Sequence, residues 1–389
     1  MAKIDALALD DFEAIARRTM PRSLYAFIAA GSEAGLTRDA NRAAFAHYPL
    51  RTRTMRDVSA RSTAATLFGH QYAAPIGIPP MGMSGACAFE GDLELARAAR
   101  DANVPFILSG ASFEPLENVV AEAPDAWFQA YPSGDPEADA ALAARVAAAG
   151  YKVLVVTVDT TVPPSREAAM RAGGLMVPVR PNLTLTVDTL LHPRWAWGTL
   201  ARTLRRRGIP RMANMSARGG PRITDVPKGP RHTVRDTMQW AELKRIRDAW
   251  KGPLVIKGIM AIEDAEAARA LGADAIIVSN HGGRQLDGTI AAIDALPPIV
   301  AAGGDMKILF DGGVRRGGDI AKALALGADM VFVGRPFLYA LSAYGRPGVA
   351  HAIQLIQAEL MRAMAMLGCA SIDQLRAGDV IAGVPKGMN

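Results

Sequence analysis

The 389-residue chain carries only two cysteines, Cys87 and Cys369, far apart in sequence. That excludes a disulfide framework and any metal site built on paired thiolates. A reducing, cytosolic compartment follows as the default. No apolar run approaches the roughly 20 residues that a spanning helix requires. The opening Met1-Ala2-Lys3-Ile4-Asp5 lacks the basic-then-apolar order of a secretory signal. Zinc-finger spacing, an RNA-binding motif and a basic-aromatic strand pattern are all missing, so no nucleic-acid partner is expected. Low-complexity tracts are absent too. What remains is an ordinary globular composition, 50% apolar and 21% charged. The net charge of +6 is unevenly placed, with much of it in one Arg-rich stretch.

The chain opens with helical patterns. Leu7 to Thr19 has apolar residues near helical spacing and stops at Pro21. Arg22 to Ala30 reads as a second helix capped by Gly31, and Thr37 to Phe45 as a third. Residues 1–71 are thus expected to form a helical lead-in that closes one end of a single domain spanning 1–389. From Ala74 onward, short apolar runs alternate with longer amphipathic ones. The strand candidates are Pro75–Pro79, Pro105–Ser109, Trp127–Tyr131, Val153–Asp159, Leu254–Gly258, Ala275–Ser279, Ile308–Asp311 and Met330–Gly334. Helix candidates lie between them, among them Asp92–Ala102, Pro136–Ala149, Met238–Trp250, Ile262–Leu271 and Gly318–Leu326. Eight βα units in order predict a (β/α)8 TIM barrel. A doubly wound open sheet is the rival, but no Gly-x-Gly-x-x-Gly follows the first strand.

One segment, about 176–237 after the fourth strand, is too long for an ordinary βα loop. It contains Leu190-Leu191-His192-Pro193-Arg194-Trp195-Ala196-Trp197, followed by Arg202, Arg205, Arg206, Arg207 and Arg211. Two tryptophans and clustered arginines suit a membrane interface, with a peripheral contact through 190–211. The other reading is a solvated helix and a loop folding over the site.

The chemistry is concentrated late in the chain. The apolar run Ala275–Val278 breaks into Ser279-Asn280-His281-Gly282-Gly283-Arg284, just past a strand's carboxyl end. In a parallel α/β protein ligands sit at that end. His281 offers a proton acceptor beside Arg284, an anion clamp, which suits a carboxylate-bearing substrate. A turn with a satisfied His and a solvated Arg is the plainer alternative. After strand seven comes Asp311-Gly312-Gly313-Val314-Arg315-Arg316-Gly317, and after strand eight Gly334-Arg335-Pro336. Barrel turns at these two positions commonly bind phosphate through backbone N–H groups.

Ser-Asn-His-Gly-Gly-Arg-Gln-Leu-Asp at 279–287, Asp-Gly-Gly-Val-Arg-Arg-Gly at 311–317 and Gly-Arg-Pro at 334–336 together resemble the FMN-dependent L-2-hydroxy acid oxidases and dehydrogenases. That family includes glycolate oxidase, bacterial L-lactate dehydrogenases and (S)-mandelate dehydrogenase. The resemblance runs from about Leu9 to Val380. It implies that FMN is the cofactor and that His281 is the active-site base, oriented by Asp159. It further implies that Arg284, Arg166 and Tyr25 hold the substrate carboxylate, while Tyr131 bonds the substrate hydroxyl oxygen. Ser109, Gln129, Thr157, Lys257 and Ser279 would face the flavin, with Pro80-Met81-Gly82 beside its N5 edge. Asp311 would meet the ribityl chain, and Gly313, Arg315, Gly334 and Arg335 the phosphate. Electrons would pass to a quinone or another acceptor, or to O2, and relatives are often homotetramers. The location implied is cytoplasmic, peripheral on the membrane's inner face if the insertion docks there.

The roles are physically coherent. Two arginines fix a carboxylate's geometry as lysines would not, and positioning supplies much of a rate. Asp159 beside His281 favours the proton-loaded imidazole. Two departures bear on substrate and acceptor. Gly82 stands where many members have alanine, which leans towards a dehydrogenase. Ala111 replaces a bulky aromatic of the glycolate oxidases, which implies a roomier pocket suited to lactate- or mandelate-like substrates. Rival readings are an FMN barrel isomerase, a peptide-modifying enzyme on the same scaffold, and a flavin-binding protein without activity.

Overall fold

The computed structural model describes residues 4–173, 178–226, 235–377 and 379–382. Positions 1–3 of the lead-in, 176–177 and 227–234 of the insertion, and the C-terminal 383–389 therefore lie outside the described residues. Three helices come first: α1 (Leu9–Thr19), α2 (Arg22–Ala29) and α3 (Leu36–Ala43). The lead-in is not helical to its end, however. Strands β1 (Ala65–Leu67) and β2 (His70–Tyr72) pair antiparallel, Leu67 opposite His70. The two residues of their turn, Phe68 and Gly69, both have positive φ, 49° and 78°. That is the tight hairpin geometry that matches strand twist.

Eight parallel strands follow: β3 (Ile76–Gly77), β4 (Ile107–Ser109), β5 (Trp127–Ala130), β6 (Leu154–Thr157), β7 (Leu254–Ile259), β8 (Ala275–Val278), β9 (Lys307–Asp311) and β10 (Met330–Phe332). Their order is β3-β10-β9-β8-β7-β6-β5-β4, and a parallel bridge between Ile78 and Phe106 joins the two ends. The sheet is therefore the expected barrel, and the open-sheet rival falls. The strands are apolar throughout because each has two buried faces. One face packs under the surrounding helices. The other fills the barrel with Ile107, Trp127, Val155, Val255, Ile277, Leu309 and Phe332. The hairpin plugs the floor: Leu67 and Tyr72 join this inner cluster, and the Tyr72 hydroxyl accepts from Trp127 Nε1 at 3.3 Å.

Strand periodicity then places the site. Side chains of period two point the same way. Two residues beyond the inward apolar set stand Ser109, Gln129, Thr157, Lys257, Ser279 and Asp311, all buried. Six strands thus carry an inward polar residue at or next to their carboxyl ends, forming a polar ring on an apolar plug.

Residues 183–207 of the insertion are helical, as Leu183–Leu190, Pro193–Trp195, a π-turn at Ala196–Ala201, and Arg202–Arg207, whereas 208–226 are turns and bends with an antiparallel bridge between Arg211 and Arg222. Its two tryptophans part company. Trp195 turns inward and donates Nε1 to the Ala86 carbonyl at 2.7 Å, while Trp197 is 76% exposed. Among the described residues no helix is long and apolar enough to cross a membrane.

Candidate active site

A cavity of about 270 Å³ opens beside the polar ring, which contributes Lys257 and Asp311 to its lining, while Thr157 borders a neighbouring cavity. The turn after β8 supplies the centre of the first. His281, Gly282 and Gly283 all adopt left-handed backbone, with φ of 57°, 64° and 71°. For His281 this is an uncommon conformation that persists only where the surroundings enforce it. At Gly283 a Cβ would lie 2.4 Å from Arg38 N, so glycine is required by the close pass of α3. The turn swings the imidazole over the barrel mouth. His281 Nδ1 lies 3.0 and 3.1 Å from the two carboxylate oxygens of Asp159. Gly258, with φ of 107°, leaves room for that carboxylate, since a Cβ there would sit 2.6 Å from Asp159 Cβ. With Nδ1 held, Nε2 is the ring nitrogen left to act, and His281 lines the cavity. Burial pushes the Asp159 carboxyl up, but His281 and Lys257 outweigh it and hold it below the usual carboxylate range.

Lys257, Ser279 and Asp311 form one buried chain. Lys257 Nζ donates to Ser279 Oγ at 2.7 Å, and Ser279 Oγ donates to Asp311 Oδ1 at 2.5 Å. Lys257 Nζ also pairs with Asp311 Oδ2 at 3.1 Å. Burial works against its charge, yet Asp311 and Asp159 raise the ammonium above its ordinary range. On the neighbouring strands Ser109 Oγ donates to Gln129 Oε1 at 3.2 Å, and Gln129 Nε2 to the Ala130 carbonyl. Thr157 Oγ1 is buried without a hydrogen-bond partner.

Four half-buried guanidinium groups, those of Arg166, Arg284, Arg315 and Arg335, also border the cavity. Burial lowers each below the usual arginine range, Arg335 to about 10. Arg284 is lowered well below it, by burial first and then by Arg166 and Arg335. Its Nη1 donates to the carbonyls of Phe27 and Ile28 at 2.9 and 2.8 Å. Arg166 Nε has no partner. Arg335, expected at a phosphate, gives one N–H from each nitrogen to Ile28, Gly282 and Ala30 carbonyls. It braces the end of α2 against the His281 turn and keeps two of its five N–H groups. Arg315 Nη1 donates to the Val314 carbonyl, and its Nε lies 3.3 Å from Asp10.

The glycines of the two late turns divide their work. At Gly313 (φ 79°) a Cβ would meet the Asn41 carbonyl at 2.0 Å, so this glycine admits α3. At Gly334 a Cβ would project beside Pro79 and Met81, at 3.5 and 3.8 Å, within the cavity wall. Pro80, Met81, Gly82, Asp311 and Tyr131 line the cavity. The Tyr131 hydroxyl is pushed up by burial and then by Asp159, and Arg235 lies 5.2 Å over its ring.

Tyr25 is not among the cavity-lining residues; its hydroxyl donates to Glu13 at 2.9 Å. Residues two apart on a helix point about 200° away from each other, and it is Phe27 that faces the cavity. Met212, from the insertion, is a second lining residue that the sequence reading passed over. The helical period of α2 carried a signal for Phe27; nothing local marked Met212.

The residues present fit a flavin mononucleotide. The orphaned Thr157 hydroxyl, the polar ring and Lys257 suit a heteroaromatic ring with polar edges. The Gly334 cradle and the Arg315 side suit a phosphate. Comparison with known proteins gives the same answer: the FMN-dependent dehydrogenase profile matches residues 16–382. The chain belongs to that family. L-lactate dehydrogenase of Caulobacter sp. (strain K31) is 40% identical, covering 94% of this chain and 96% of its own. L-lactate dehydrogenase of Vibrio cholerae serotype O1 (strain M66-2) is 39% identical over 96% and 98%. A crystal structure of the monotopic membrane protein (S)-mandelate dehydrogenase superposes with a TM-score of 0.88 at 33% identity, covering 98% of this chain and all of that one. A mandelate oxidase with 3,3-difluoro-2-hydroxy-3-phenylpropionic acid gives 0.79 at 34%, over 96% and 98%. This family member is thus an FMN-dependent oxidoreductase of the kind that acts on 2-hydroxy acids.

Proposed function

We propose that the protein oxidises an L-2-hydroxy acid, lactate- or mandelate-like, to the 2-oxo acid, with the residues above in specific roles. The observation that carries this is the imidazole of His281, held by Asp159, on the same cavity as the half-buried guanidiniums of Arg166 and Arg284. A 2-hydroxy acid presents a carboxylate, an adjacent hydroxyl and a Cα–H, and these groups match a cation pair, Tyr131 and an imidazole.

FMN, when bound, accepts the two electrons. Pro80, Met81, Gly82, Ser109, Gln129, Thr157, Lys257 and Ser279 would hold its ring, Asp311 its ribityl chain, and Gly313, Arg315, Gly334 and Arg335 its phosphate. Arg166 and Arg284 clamp the substrate carboxylate, which fixes Cα against the barrel mouth. The Tyr131 hydroxyl bonds the substrate's C2 oxygen. His281 Nε2 takes a proton, either from Cα or from the hydroxyl, and Asp159 stabilises the imidazolium that results. Lys257, kept cationic by Asp311 and Asp159, supplies positive charge at the ring's edge. Gly82 and Ala111 leave the side-chain end open, and Met212 is a pliant wall there. That end takes a methyl or a larger apolar group.

The acceptor we favour is a membrane quinone. The Leu183–Leu190 helix is turned inside out: Asp188 points inward and receives Arg22 N and Ser23 N, while Leu183, Val187 and Leu190 face outward. With Leu191 and Trp197 they form an apolar surface beside the exposed cations Arg194, Arg205 and Arg206. Such a surface suits a bilayer with anionic headgroups. The protein would then be peripheral on the membrane.

Anaerobic addition of a panel of L-2-hydroxy acids to the FMN-loaded protein tests the reaction. The right acid bleaches the flavin, and a panel that leaves it oxidised refutes the proposal. Admitting air to the bleached sample tests the acceptor: slow reoxidation fits a dehydrogenase, whereas rapid stoichiometric peroxide makes the enzyme an oxidase.

A further inference from the structure

Arg166 and Arg284 are two like charges brought together, half-buried, on one cavity wall, and neither forms an ion pair with a carboxylate among the described residues. Something must hold them side by side before an anion arrives. Arg284 is fixed from the main chain: Nη1 donates to Phe27 and Ile28 carbonyls, with the Ala30 carbonyl at 3.4 Å. These are the free acceptors at the end of α2, where the helix leaves its last carbonyls unpaired and partly negative. Arg166 has no such anchor at Nε.

What the two cations share is a ring. The Cζ of Arg166 lies 5.2 Å from the centroid of Phe27, and that of Arg284 lies 5.3 Å from it. The face of an aromatic ring is electron-rich and attracts a guanidinium within about 6 Å, most strongly where water is excluded. We infer that Phe27 is a positioning residue for substrate recognition: its ring holds Arg166 and Arg284 as one anion clamp, and its own carbonyl ties down the second of them. The inference rests on the proposed reaction, because the anion in the clamp is the carboxylate of the 2-hydroxy acid.

The ring acts on affinity for the carboxylate and leaves the proton transfer to His281 alone. Two cation–π contacts of ordinary strength correspond to about a tenfold change in affinity. Three measurements on the FMN-loaded enzyme test this: KM for the acid that bleaches it, kcat, and the Kd of phenylacetate from the perturbed flavin spectrum. Phenylacetate carries the carboxylate without the hydroxyl. In Phe27→Leu, KM and Kd should rise about tenfold while kcat stays within about threefold. Phe27→Tyr keeps the π face and should restore both constants to within about threefold of wild type. If Phe27→Leu fails to retain FMN, stepwise fluorination of the Phe27 ring drains its face of charge at constant shape, and Kd should rise with each step.

Unchanged KM and Kd in Phe27→Leu, a loss in kcat alone, or no trend with fluorination would each overturn the inference. A wild-type holoenzyme that neither bleaches with any 2-hydroxy acid nor binds phenylacetate would instead overturn the reaction itself, and the clamp with it.

Discussion

Replacing Asp159 with asparagine removes one charge from the active site while keeping the shape of the side chain. In the native protein both carboxylate oxygens face His281 Nδ1, at 3.0 and 3.1 Å. When the imidazole takes its proton, opposite charges form with centres about 4 Å apart, worth about 4 kcal/mol at an effective dielectric constant near 20. At 1.36 kcal/mol per decade, losing that interaction corresponds to about a 10³-fold fall in kcat. Asparagine adds a second injury, since its NH2 can donate to Nδ1 and select the tautomer in which Nε2 carries the proton. Flavin content and melting temperature serve as controls, and single-turnover bleaching is the assay. The pH dependence has a definite sign. The folded Asp159 carboxyl lies below its ordinary range, so its contribution is complete above the unfolded value. It is lost only as pH falls through the lower, folded value. The deficit of Asp159→Asn should therefore stay constant from about pH 5 upward. A variant within tenfold of wild type, or a deficit that disappears between pH 5 and 7, would refute the reasoning.

Thr157→Val should act in opposite directions on two readouts. Deleting a buried hydroxyl that has no partner should stabilise the flavin-free protein by about 1 kcal/mol in thermal melts, yet weaken FMN binding about five- to tenfold in titrations. A loss in both would make Thr157 an ordinary core residue. Asp92 lies outside the site, and burial raises its pKa to about 6 against the hydrogen bonds from Ser84 and Ser112. Its stabilising contribution is complete below the unfolded value and lost as pH rises through about 6. Asp92→Asn should therefore melt higher than wild type at pH 7, by at most ~3 kcal/mol, with the gap closing by about pH 4; a gap independent of pH would contradict this. On the insertion, serine at Leu190, Leu191 and Trp197 together, which are 73, 67 and 76% exposed, should cut sedimentation with phosphatidylglycerol vesicles at least tenfold. Artificial-dye reduction should hold within about twofold, and unchanged sedimentation would leave the membrane reading without support.

The eight barrel strands were legible because a strand buried on both faces needs an unbroken apolar run, and few other elements do. The His281 turn was legible because three successive residues of left-handed backbone demand glycines, and His281-Gly282-Gly283 shows two of them. The β1–β2 hairpin was not read, although its signal is present. Leu67 and Tyr72 alternate with polar neighbours around Phe68-Gly69, but strands of three residues fall below what periodicity resolves. Gly31 was read as a helix cap, whereas α2 ends at Ala29 with Ala30 extended. A Cβ on Gly31 would lie 3.0 Å from the Gly283 carbonyl, so its glycine answers to a turn some 250 residues away. No local pattern encodes that. Residue type alone did not give the facing on a helix: Phe27 rather than Tyr25 lines the cavity, and Trp197 rather than Trp195 is exposed.

The four half-buried guanidiniums say something that no single residue does. Burying a charge is costly unless it is paired, and in this cavity Arg284 is further burdened by Arg166 and Arg335. A fold selected for stability alone would replace at least one of these cations with a neutral chain. They run along the cavity wall. Arg166 and Arg284 meet on the Phe27 ring, Arg335 acts on Arg284, and Arg315 acts on Arg335 from beside Asp10. So extended a run of positive charge on one cavity asks for two anions rather than one. A flavin phosphate and a substrate carboxylate satisfy that demand together, and neither does so alone. An isomerase acting on a neutral substrate would leave the Arg166–Arg284 pair unexplained, which is why the geometry favours a 2-hydroxy acid.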